Sequence, residues 1–169
     1  MIILSIVSLI ISFLLQGLVS NIVSFNINSL SIFSSFFVLV NFVVLQEYYA
    51  DDKKFIIMLI IMGLFIDIVY NGTALVSSFI FVLIFYINKG LNYFLPYNLL
   101  TVNLFSIFSI IVYNIITFLI LVIIRFDRFS FMVLLKVIGC NLIMTVIYAS
   151  IIYSVTKYFV RKLDLKVIR

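Results

Sequence analysis

Six long apolar runs, parted by short polar breaks, take up most of this 169-residue chain. They cover residues 2–19, 30–49, 55–70, 74–88, 99–124 and 131–157, and a basic tail follows at 158–169. The runs are continuous rather than alternating, which excludes a membrane β-barrel and leaves helices as the only elements that satisfy their backbone in lipid. Apolar residues make up 66% of the chain and charged residues 10%, against roughly a quarter charged in a soluble domain. A soluble fold of this size buries only about 70% of the surface its unfolded chain exposes, too little to hide this sequence. A soluble enzyme, a disulfide scaffold and a disordered tail are therefore excluded. The expected fold is an all-α integral membrane protein, one domain built as a six-transmembrane-helix bundle.

The chain contains no His and one Cys. A His/Cys metal cluster and a Ser-His-Asp or Cys-His nucleophile are therefore impossible. Cys140, inside IGCNLIM, reads as a small packed residue. No Gly-rich phosphate loop, nucleotide motif or other cofactor signature is present, so no enzymatic activity is expected. The net charge is +5, but the basic residues sit at the ends of apolar runs. That placement fits lipid headgroups and membrane topology, not nucleic acid.

Ile2 to Val19 follows no basic segment and precedes no small-residue cleavage site, so it reads as a retained helix. The Asn/Ser-rich stretch Ser20 to Ser29 reads as a loop or interfacial segment. The second run ends in QEYYADDKK, the densest charge cluster. Runs three and four are each about 23 Å long at 1.5 Å per residue, shorter than the hydrocarbon core of about 30 Å. Snorkelling by Lys53, Lys54 and Lys89 would lengthen them; alternatively, one is a full span and the other partial. The Asn-Gly-Thr turn at Asn71 to Thr73 favours a tight helical hairpin. Tyr93, Phe94 and Tyr97 flank Pro96, the only proline, and suit the interface. With six spans and both termini cytoplasmic, the inside holds Lys53, Lys54, Lys89, Lys157, Arg161, Lys162, Lys166 and Arg169, while the outside holds Arg125 and Arg128.

Asp67 lies in GLFIDIVYNG, one turn before Asn71-Gly72. A carboxylate in a membrane segment is costly and points to function. At about 6 Å from the helix end it can reach water or the N–H groups that open the next helix. The readings are a structural tie, a partner contact, or an ion or proton site. Gly63 lies on the same face, four residues earlier, and permits close helix approach. Lys136, near the outer end of helix six, either snorkels outward or pairs with an acid. Asn114 and Asn141 lie deep in helices five and six, where amides hydrogen-bond across helices and could pair with each other. The tail alternates basic and apolar residues and can lie on the anionic inner leaflet or contact a cytoplasmic partner.

The stretch IIMGLFIDIVYNGTALVSSFIFVLIFYI, Ile60 to Ile87, resembles the bacterial MreD family of rod-shape-determining membrane proteins. The resemblance rests on Gly63, Asp67, Tyr70, Asn71, Gly72 and Tyr86. The final helix is also similar, through Asn141, Tyr153, Tyr158, Arg161 and Lys162. The resemblance implies a non-enzymatic scaffold of cell-wall elongation. It further implies an MreC-like bitopic membrane protein as partner and, through it, MreB filaments, RodA and a penicillin-binding transpeptidase. That family's fold looks like the six-helix substrate-binding component of energy-coupling-factor transporters. The alternative reading is therefore a vitamin-binding component, which would need a pocket with convergent polar groups.

Overall fold

The computed structural model describes residues 2–24, 36–49, 52–71, 75–123 and 131–162. Gly72 and the side chains of Asn71, Lys136 and Cys140 lie outside the described set, as do Arg125, Arg128 and the chain beyond 162. The described residues are all-helical, 93% of them in helix, with no strand among them. The helices are α1 (Ile2–Ser24), α2 (Phe37–Leu45, followed by a 3-10 turn, Gln46–Tyr48), α3 (Asp52–Ile66, running into a π-helical segment, Asp67–Asn71), α4 (Val76–Asn92), α5 (Leu99–Ile123) and α6 (Phe131–Lys162).

Among the described residues, two windows are long and apolar enough to cross a membrane: Leu99–Ile120, with mean hydropathy 2.1, and Asn141–Lys162, with 1.5. α1, α2 and α4 hold shorter apolar stretches. The expected boundaries need correction in two places. α1 runs on to Ser24, so the first residues of the expected loop are helical. α6 runs on to Lys162, so the first residues of the supposed tail are helical. In the second run, residues 30–35 lie outside the described residues, and α2 with its 3-10 turn covers Phe37–Tyr48.

The α1–α2, α3–α4 and α4–α5 pairs run antiparallel. Ser8 faces Asn41 while Gln16 faces Val38. Asp67 meets Ser77 while Asp52 pairs with Lys89. Asn88 meets Ser109 while Ser77 meets Tyr113. Asn103 meets Ser150 further along. α2 is the axis of the bundle. Every residue from Phe37 to Leu45 is buried, and the helix packs against α1, α4, α5 and α6. Its rings meet theirs: Phe37 stacks on Tyr148 of α6 at 4.3 Å, and Phe42 meets Phe81 of α4 at 6.0 Å.

Outside α2 the exterior carries long apolar rows, and several polar side chains are buried. On α1, Ile3, Val7, Ile10, Leu14 and Leu18 form an exposed row at helical spacing, with Ile3 80% exposed. Ser5, Ser12 and Gln16 of the same helix are buried. Ile57, Ile61, Phe65 and Ile68 extend the apolar exterior along α3, Leu100, Leu104, Phe108, Ile115 and Leu119 along α5, and Ile143, Ile147 and Ile151 along α6.

Candidate functional site: a tied hairpin and a buried polar seam

α4 starts on Leu75, in left-handed backbone (φ 67°), whose side chain caps nothing. The acceptor comes from the preceding helix. Asp67 is fully buried, and its Oδ2 accepts the N–H of Ser77 at 2.9 Å. Ser77 is the second residue of α4, one of the positions an N-cap oxygen ordinarily serves. The negative charge also meets the positive end of the α4 dipole. The π-helical segment begins at Asp67 itself. Such segments insert a residue and re-aim a side chain.

One turn back along α3, Gly63 lies against Ser78. A Cβ at Gly63 would stand 2.5 Å from Ser78 Cα and 2.7 Å from its nitrogen. Only glycine allows the two backbones this approach. Ser78 Oγ donates across the same crossing to Ile60 O at 3.0 Å. Ser77 Oγ shares a 2.8 Å hydrogen bond with the Tyr113 hydroxyl on α5. At the other end the hairpin is closed by the Asp52–Lys89 ion pair. Tyr70, in the π-helical segment, donates to Phe13 O at 2.9 Å and so fastens the hairpin to α1.

A second group of polar side chains fills the seam between α1, α2 and α6. Asn41, fully buried in FVLVNFVVL, donates through Nδ2 to Ser12 Oγ at 2.7 Å and Ser8 Oγ at 3.2 Å. Ser12 Oγ shares a 2.6 Å hydrogen bond with the Tyr148 hydroxyl. Gln16 Oε1 accepts the N–H of Val38 at 3.3 Å. Sequence reasoning missed this group. The signal was Ser5, Ser8, Ser12 and Gln16, spaced by three and four residues on one face of an apolar helix.

The other sequence-predicted residues are not brought together. Asn114 Nδ2 donates to Ile110 O at 2.9 Å, one turn back on its own helix. Asn141 Nδ2 is buried with no partner among the described residues. The two amides therefore do not pair. Gly63 and Asp67 lie in one crossing; Asn114 and Asn141 belong to the α5–α6 pair. Among the described residues no group of three metal-ligating acidic, Cys or His side chains forms. Compared with protein-family models, curated proteins and solved structures, the chain matches none of them.

Proposed function

We propose that this chain is a six-span protein of a bacterial cytoplasmic membrane, with both termini cytoplasmic, acting as a non-enzymatic scaffold of cell-wall elongation. In this reading it binds an MreC-like bitopic protein and, through it, links RodA and a penicillin-binding transpeptidase to MreB filaments. The observation that carries the membrane part is the inverted surface. Aliphatic rows lie outside and the hydroxyls and amides inside, as a bilayer solvent demands and water forbids. The scaffold part is supported by the resemblance of residues 60–87, whose Gly63 and Asp67 are occupied in holding two helices together. A residue used as a brace is available for assembly and not for turnover.

A vitamin-binding component would need polar groups free to meet a ligand. The void lined by Phe42, Phe55, Gln46 and Asn88 has room for about one water molecule, and the Asn41 amide nitrogen, Ser12 and Tyr148 are engaged with one another.

Co-purification with an MreC-like bitopic protein tests the scaffold reading. A stable complex is expected, and a small ligand carried through purification in place of a protein partner overturns it. Topology is tested by labelling residues 53 and 169 from the cytoplasmic side. Both should react, and reaction from opposite sides ends the six-span reading.

A further inference from the structure

Three tyrosines from three elements meet at the end of the bundle where α2 and α6 finish. Tyr48 closes α2, Tyr97 lies in the α4–α5 connection, and Tyr153 is on α6. The Tyr48 and Tyr97 rings meet edge to face at 5.7 Å, and those of Tyr97 and Tyr153 at 5.5 Å. Tyr48 and Tyr153 are buried, and Tyr97 donates to Val44 O at 3.1 Å. Burial, reinforced by the adjacent Tyr48 hydroxyl, pushes Tyr97 well above the usual phenol range, so it stays neutral and keeps its proton for donation.

Two cations stand over this floor. Lys157 Nζ donates to the Tyr153 hydroxyl at 3.2 Å and lies 5.2 Å from the centre of its ring. Tyr153 accepts that bond, so its own proton remains to be given elsewhere. Arg161, four residues on and therefore on the same helix face as Lys157, is exposed. Neither Lys157 nor Arg161 has a carboxylate partner among the described residues. Of the acids at this end, Asp52 is paired with Lys89 and Glu47 is engaged in a contact of its own. Beside the site Tyr93 is 88% and Phe94 79% exposed. The exposed row Leu100, Leu104 and Phe108 begins where this connection enters α5.

We propose that Lys157 and Arg161, set on the floor formed by Tyr48, Tyr97 and Tyr153, bind the phosphate of an anionic lipid headgroup. Guanidinium, ammonium and phenol are the donors a phosphate monoanion requires, and the arginine fork matches two of its oxygens. A lipid fits better than free phosphate because exposed aromatics and an apolar row adjoin the cations, giving glycerol and acyl chains a surface. The proposal rests on the reading that the bundle sits in a bilayer.

The test is retention of phosphatidylglycerol against phosphatidylcholine by the full chain in neutral detergent, counted by native mass spectrometry. Wild type should retain phosphatidylglycerol selectively, and excess inorganic phosphate should not displace it. Lys157→Gln with Arg161→Gln should lose retention roughly thirtyfold, at about fivefold per cation. Lys53→Gln with Lys54→Gln removes the same charge from the same end and should retain the lipid. Arg161→Gln alone, at an exposed position that the fold does not need, should lose about fivefold. Equal loss in the Lys53/Lys54 control would reduce the site to diffuse charge and overturn it, as would equal retention of both lipids. Displacement by inorganic phosphate alone would overturn the lipid as ligand. A chain monodisperse without detergent would overturn the bilayer reading together with the site, whereas a detergent-dependent chain blind to headgroup charge overturns the site only.

Discussion

In both the α1–α2 and the α3–α4 pair, the second helix begins on an apolar residue, Phe36 or Leu75, whose side chain caps nothing. In both, the helix before it supplies an oxygen to the second N–H: Gln16 to Val38 at 3.3 Å, Asp67 to Ser77 at 2.9 Å. α5 shows the ordinary arrangement, where Asn98 directly precedes the helix and accepts the Thr101 N–H at 2.8 Å. The two borrowed caps differ in strength for a reason visible in the packing. α2 is enclosed on every side, so apolar burial fixes its place and a neutral, longer bond suffices. α4 leaves Phe79 and Tyr86 outside. Its position depends more on directional ties, and it has a charged cap, a glycine crossing and an ion pair. Full enclosure and strong end-ties are alternative ways to place a short helix.

The largest test of that contrast is Gly63→Ala. The new methyl collides with backbone that cannot rotate away, so α3 and α4 must separate. A loss of about 2–3 kcal/mol is expected, read as a fall in melting midpoint in detergent. Gly139→Ala, on α6, is the matched control, since a Cβ there meets nothing within 4 Å. It should be neutral or stabilising by up to about 1 kcal/mol, because alanine is the better helix former. Equal losses at both positions would mean that the close crossing contributes nothing particular.

Asp67→Ala should follow, at about 1.5–2 kcal/mol, since it removes a charge-assisted cap and leaves the Ser77 N–H buried and unmet. Asp67→Asn keeps an oxygen and should cost about half of that. A melting midpoint and partner binding both unchanged in Asp67→Ala would remove any special role for the residue.

Asp67 was legible because an acid inside an apolar run stands out, and its distance from the helix end pointed to the next helix. Gln16 performs a similar service but was not singled out: it is neutral and falls among serines. Asn41 was missed although it interrupts the apolar run FVLVNFVVL, and its burial at the bundle axis makes it a hub. Gly63 could be placed on the Asp67 face by spacing, yet its partner Ser78 could not, since spacing fixes a face and not what opposes it. Asn114 and Asn141 show that limit from the other side. Their depths in the sequence suggested a pair, but the rotation of α5 against α6 is set by packing, and Asn114 turned to its own helix. The helix ends at Ser24 and Lys162 were misjudged because polar composition reads as loop, even where neither glycine nor proline stops the helix.

Gln16→Ala measures the weaker cap. A loss of about 0.5 kcal/mol is expected, near the mean for hydrogen bonds between membrane helices. Thermal unfolding of Gln16→Ala beside Asp67→Ala is the check. A loss at Gln16 as large as that at Asp67 would contradict the view that enclosure relieves α2 of its dependence on the cap.

The smallest effect is expected at Leu75. Its side chain is 59% exposed and its φ of 67° lies where an L-residue is strained. Asp67 supplies the cap from a distance, so the side chain at the helix start has no hydrogen-bonding duty there. Leu75→Gly removes the strain, though glycine gains freedom in the unfolded chain and returns part of that benefit. The net expectation is a stabilisation under about 1 kcal/mol. Phe36, the counterpart ahead of α2, has unstrained backbone, is buried, and meets the Tyr113 ring at 4.8 Å. Phe36→Gly should therefore destabilise by several-fold more. If the two substitutions moved the melting midpoint in the same direction, helix starts in this bundle would be governed by backbone conformation alone. Opposite signs would show that one start is held by what surrounds it and the other by the carboxylate behind it.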